Sequence, residues 1–221
     1  MTGLILAMCL APAAITVGLV LCRSAVLTFV FFYVGVCLLL PVLDAFIHNT
    51  STAAFFKNYG FRTGRSSVVS LLLYGGFVFA AVFLLFSLLQ GKIWDSTEIS
   101  LVLSEWGINR MNPVVFVSVM VLANAFLEEF FWRGYIIHKL SVFYGNKTVI
   151  LLSSAFYTSY HVITTGILFS PGYAAVSTVL VFGAGVLWGT VRVKTGSILF
   201  PVVTHLFIDL AIMAAYLKFL S

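Results

Sequence analysis

Long apolar blocks separated by short polar breaks dominate the chain, and their length sets the first expectation. Blocks long enough to cross a bilayer as a helix, about 20 residues each, cover 4–22, 25–46, 68–89, 113–137, 148–168, 173–191 and 198–220. They predict an all-α fold, a polytopic integral membrane helical bundle of about seven transmembrane helices. The range is six to eight, because the first two blocks could instead form a tight hairpin. Nearly every residue falls in a block, so 1–221 reads as a single membrane domain without a soluble domain, repeat array or long linker. The longest connections, 48–67 and 90–112, mix aromatic residues (Phe55, Phe56, Tyr59, Phe61; Trp94, Trp106) with charges. Each could lie in the interface as a short amphipathic segment.

Composition strengthens the membrane reading: 62% of residues are hydrophobic and only 9% charged, with a mean hydropathy of +1.12, far outside the range of soluble domains. In a soluble protein a net charge of +5 would suggest nucleic acid. Here the placement of Lys and Arg has a topological cause. With seven spans, Lys57, Arg62, Arg65, Lys139, Lys147, Arg192 and Lys194 fall on one side. Arg23, Lys92, Arg110 and Lys218 fall on the other, diluted by Asp95, Glu98 and Glu105. The positive-inside rule then puts the N-terminus in the cytoplasm and the C-terminus outside, with a prokaryotic inner or plasma membrane as the expected location. The expected partner on these grounds is the lipid bilayer, with no nucleic acid.

Smaller signals change little. The first block has no basic n-region, and Ala11-Pro12-Ala13-Ala14 lies in its middle, so it is expected to be retained rather than cleaved as a signal peptide. Cys9, Cys22 and Cys37 lack CxxC spacing and read as lipid-facing or buried thiols rather than a metal site or disulfide framework. Two glycosylation sequons, Asn49-Thr50-Ser51 and Asn146-Lys147-Thr148, are too short a pattern to carry weight. Asp44 and His48 end the second block without a partner motif and read as a hydrated helix end.

Three blocks carry ionisable groups where each costs several kcal/mol unless paired or hydrated. The fourth holds Glu128-Glu129-Phe130-Phe131-Trp132-Arg133-Gly134, the fifth Tyr157-Thr158-Ser159-Tyr160-His161, and the seventh His205-Leu206-Phe207-Ile208-Asp209. Residues four apart share a helix face, which pairs Glu129 with Arg133, Tyr157 with His161, and His205 with Asp209. Glu128 is rotated about 100° from Glu129, so Arg133 is expected to neutralise Glu129 and leave Glu128 free. At about 1.5 Å rise per residue, Glu128, His161, His205 and Asp209 lie roughly 14, 20, 11 and 17 Å deep. A common depth on three helices fits one polar cavity near the centre of a core about 30 Å thick.

Such a cavity suits acid–base activation of water. A carboxylate held in an apolar bundle is a usable general base, and Glu128 is the candidate. His161 is the candidate to share its water, and His205, fixed by Asp209, to donate to a developing oxyanion. A bare carboxylate repels an oxyanion, so Asp209 must orient the imidazole or carry a proton itself.

In their order these motifs resemble the CAAX-protease and bacteriocin-processing (Abi) family of intramembrane glutamate endopeptidases. Its signature is Glu-Glu-x-x-x-Arg, aromatic-x-x-x-His and His-x-x-x-Asn on separate membrane helices. The stretch from Gly185 to Ile198, with Trp188, Gly189 and Arg192, also looks like the family's approach to its last motif. The resemblance covers a catalytic core of about 113–210 and departs in Tyr157, more often Phe, and Asp209, more often Asn. It implies that Glu128 and His161 activate water, that His205 and its partner stabilise the oxyanion, and that Glu129, Arg133 and Tyr157 support them, with no metal or other cofactor. The partner it implies is a peptide or protein substrate at the membrane, and compatible substrates range from prenylated C-terminal peptides to bacteriocin leaders.

Alternatives stay open. Two Glu and two His also suit zinc, although HExxH is absent. A non-catalytic immunity or scaffolding protein would use the cavity to bind a peptide. A proton-coupled transporter would use the same residue types, but no inverted repeat is visible. Trp132 and Phe156 read as packing, and Gly185 with Gly189 as a close helix contact.

Overall fold

The structure, a computed structural model, describes residues 2–62, 68–90 and 94–220. Arg65 and Lys92, counted in the charge reading, lie outside the described residues. Among the described residues nine helices form: α1 (Gly3–Leu21), α2 (Ala25–Ile47), α3 (Thr52–Asn58), α4 (Val68–Leu89), α5 (Ser96–Glu105), α6 (Pro113–Leu140), α7 (Asn146–Leu168), α8 (Pro171–Thr195) and α9 (Leu199–Phe219). No strand forms among the described residues. The chain is therefore a polytopic helical membrane protein. Among the described residues six helices, α1, α2, α4, α6, α8 and α9, are long and apolar enough to cross a membrane.

The expected seventh span is α7, whose 23 residues match the others in length but fall short in apolarity. Its polar residues Ser153, Ser154, Tyr157, Thr158, Tyr160 and Thr165 are buried, so the polarity that lowers its hydropathy faces protein rather than lipid. It also runs between the same two ends as its neighbours. At one end the turn after α1 meets α5 through Arg23 and Glu105 at 3.2 Å and through Ala25 N on Trp106 O. Phe86 of α4 contacts Phe169 and Tyr173 there, at the α7–α8 turn. At the other end Lys139 meets Asp44 at 2.6 Å, and Ser197 Oγ donates to Arg62 O at 2.7 Å.

Two expectations change at that second end. Asp44 is not a bare hydrated terminus, because it binds Lys139 and lies 3.6 Å from His48 Nδ1, tying α2 to α6. Arg192 is buried and donates through Nε to Arg133 O at 2.9 Å and through Nη2 to Asn58 O at 2.6 Å, so it works as a clamp rather than as a free loop charge. The two long connections do contain short helices, α3 and α5. Ser51 caps α3 and Asp95 caps α5, and the Thr97 and Glu98 amides hold the Asp95 carboxyl below its ordinary range. Burial at the end of α3, with Asp44 nearby, pushes the Tyr59 hydroxyl up to about 12. Cys9 and Cys22 are exposed on the bundle and Cys37 is buried, all as free thiols.

Helix α6 sits centrally, touching α2, α7, α8 and α9. Glycine permits the closest approaches elsewhere. A Cβ at Gly185 would come within 3.1 Å of Ser154, and one at Gly189 within 3.3 Å of Ile150, so this pair is the α7–α8 contact. At Gly75 of α4 a Cβ would run into the Phe207 ring of α9, whereas at Gly76 nothing lies within 4 Å. Gly75→Ala should therefore destabilise by about 1–3 kcal/mol, read as a lower thermal unfolding midpoint in detergent. Gly76→Ala should leave the midpoint unchanged or raise it.

Candidate active site

The central helix α6 delivers both glutamates, and it is not a regular α-helix there. Wider π-helical turns over Val119–Asn124 and Phe130–Ile136 flank the α-helical Ala125–Glu129; such turns often accompany functional positions. The α8 clamp holds the second one, because Arg192 takes up the Arg133 carbonyl. Gly134 lets α3 close over the same turn, with a Cβ there only 3.0 Å from Tyr59 O.

Glu129 is fully buried and its Oε1 accepts two hydrogen bonds, from Arg133 Nη1 at 2.9 Å and from His205 Nδ1 at 3.0 Å. Arg133 also lies 4.2 Å over the Tyr157 ring and 5.0 Å from that of Trp188, which holds its charge against π-electron density. Trp188 stacks on His205 at 4.7 Å and donates Nε1–H to Thr204 Oγ1 at 2.8 Å. Thus His205 is gripped from α6 and α8 at once.

Glu128 points elsewhere. Its Oε2 accepts the Tyr160 hydroxyl hydrogen at 2.8 Å, and no cation pairs with it among the described residues. Asp209 Oδ1 lies 3.7 Å from His205 Nε2, and its Oδ2 accepts Asn124 Nδ2–H at 2.8 Å. His161 meets this group through rings, 4.6 Å from Tyr157 and 4.4 Å from Tyr160. Its Nδ1 bonds the Tyr157 carbonyl at 2.9 Å; a carbonyl only accepts, so this nitrogen carries the proton and Nε2 is left as the basic one.

The structure thus joins Glu129, Arg133, His205 and Asp209 by direct contacts and reaches Glu128 through Tyr160. It places His161 at the edge, bonded to its own helix. Two roles differ from the sequence expectation. Glu129, not Asp209, makes the close bond to His205, so it does more than balance Arg133. Asn124 and the Tyr160 hydroxyl belong to the cluster and were given no role; Asn124 carries a sequence signal, standing four residues before Glu128 on the same face. Among the described residues no three His, Cys, Asp or Glu side chains form a metal-holding group. Within the same region Glu129 Oε2, Asn124 Oδ1, Trp132 Nε1 and Arg133 Nε and Nη2 find no hydrogen-bond partner among the described residues, leaving donors and acceptors for water or ligand.

Fold and site together define a helical membrane protein with a buried carboxylate–imidazole cluster on three helices. Residues 110–211 match the family model described as Type II CAAX prenyl endopeptidase Rce1-like, so just under half of the chain is similar to that family of CAAX-type proteases. The match contains every motif quoted for the resemblance. Comparison with curated proteins and with solved structures gave no match.

Removing one partner of a buried ion pair costs about 3–5 kcal/mol, so Arg133→Met should sharply reduce the folded fraction in detergent thermal unfolding. Glu129→Ala should do the same and also lower activity in whatever protein still folds, because it releases His205.

Proposed function

We propose that this protein is an intramembrane endopeptidase in which Glu128 activates water to hydrolyse a peptide bond. The observation that carries the reading is the contrast between adjacent carboxylates: Glu129 is bonded to Arg133 and His205, while the buried Glu128 accepts its hydrogen bond from the Tyr160 hydroxyl. A buried carboxylate whose direct hydrogen bond comes from a phenol and not from an arginine, in a segment similar to endopeptidases, is available as a base.

Glu128 takes a proton from water as the water oxygen attacks the peptide carbonyl carbon. His205, oriented by Glu129 and Trp188, donates toward the oxyanion of the tetrahedral intermediate. As the C–N bond breaks, the carboxylic acid of Glu128 returns the proton to the leaving amine, closing the cycle. His161 offers Nε2 to the same water, and Tyr160 fixes the Glu128 carboxylate. The family description, a CAAX prenyl endopeptidase, supports a membrane-associated prenylated peptide as the substrate class; a leader peptide, and access from the cytoplasmic side, are part of the same proposal. On this reading the N-terminus is cytoplasmic, the C-terminus external, and the chain one membrane domain.

Glu128→Gln, His161→Ala and His205→Ala should each abolish cleavage while the protein accumulates in the membrane; full activity of Glu128→Gln would sink the proposal. Comparing membrane and secreted peptides from cells carrying wild type or Glu128→Gln by mass spectrometry should reveal the substrate as the species that persists. Tyr160→Phe, which loses one hydrogen bond to a carboxylate, should lower kcat about tenfold to a hundredfold.

A further inference from the structure

Asn124 is a buried amide on α6 with one bond made and one acceptor spare. It donates Nδ2–H to Asp209 Oδ2 across to α9 at 2.8 Å, and its Oδ1 has no partner among the described residues. Asp209 therefore has distinct faces: Oδ2 is held by the amide, and Oδ1 lies 3.7 Å from His205 Nε2. The other imidazole nitrogen is already fixed by Glu129 at 3.0 Å. A carboxylate anchored through one oxygen loses its freedom to rotate, so the amide decides what the other oxygen presents to the histidine. Asn124 also stands one turn before Glu128 on the same face, linking the helix that carries the base to the helix that carries the imidazole.

We propose that Asn124 is a positioning residue, aiming the Asp209 carboxylate at His205 and holding the imidazole edge in register with Glu128. The proposal rests on the endopeptidase reading for its effect on rate, but not for the contact itself. It requires direction: the amide belongs on α6 and the carboxylate on α9, where His205 is. A mere tie between helices would work equally well reversed.

The test uses the full chain in detergent, with Asn124→Ala, Asn124→Asp and the exchange Asn124→Asp/Asp209→Asn. Asn124→Asp, which sets two carboxylates face to face, should fold poorly. Asn124→Ala should lower kcat by about tenfold to a hundredfold with KM nearly unchanged. The exchange keeps both the hydrogen bond and the charge count, so it should recover the wild-type unfolding midpoint but not kcat, and it remains informative if the alanine variant does not accumulate. Recovery of kcat in the exchanged protein, or an unchanged kcat in Asn124→Ala, would overturn the proposal. A second readout does not need catalysis: the imidazole 15N signals of His205, assigned with His205→Gln, should move in Asn124→Ala and in the exchange, and unmoved signals would count against it. A Glu128→Gln protein that cleaves at the wild-type rate would remove Glu128 as the base, and absence of any cleavage by the wild type would remove the endopeptidase reading; either leaves the His205 signals to decide the positioning role.

Discussion

One carboxylate oxygen, Glu129 Oε1, accepts from Arg133 and from His205 within a fully buried setting, and much of the molecule is arranged to make that arrangement tolerable. Taking an arginine and a carboxylate out of water costs several kcal/mol per ion, recovered only when geometry is good and remaining groups are held. The Tyr157 and Trp188 rings supply such contact to the guanidinium. Trp188 in turn is pinned to Thr204, so the helix delivering His205 is located by the residue that shelters Arg133. Four helices, α6, α7, α8 and α9, are committed to one point before any substrate arrives.

That commitment separates the two glutamates chemically. Their positions in sequence differ by one residue, but one is bonded to both an arginine and an imidazole and the other faces a tyrosine on α7. Preorganisation of this kind is what an enzyme needs where charge develops, because reorientation during reaction would cost rate. Rigid supports for Glu129 leave Glu128 with fewer contacts and hence more freedom to exchange a proton.

Apolar runs located the helices, and spacing located the acid and imidazole positions, because both are properties of a helix considered alone. Glu129 and Arg133 were legible as a pair for that reason. The Glu129–His205 and Asn124–Asp209 bonds join residues 76 and 85 positions apart, and no periodicity carries that information. The same limit explains Asp44, whose partner Lys139 stands on another helix. At α7 the apolar block 148–168 located the span, but an averaged hydropathy carries no information on which way its polar side chains turn, and they turn inward.

The polarity of α7 has a consequence for biogenesis. A segment whose serines, threonines and tyrosines need protein around them gains little from entering lipid alone. Its two-residue turn into the more apolar α8, and the small-residue contact between them, suit entry as a hairpin. The last motif helix follows only afterwards. The order of the chain during synthesis thus gives α7 a shielding partner before His205 and Asp209 are delivered to complete the interior.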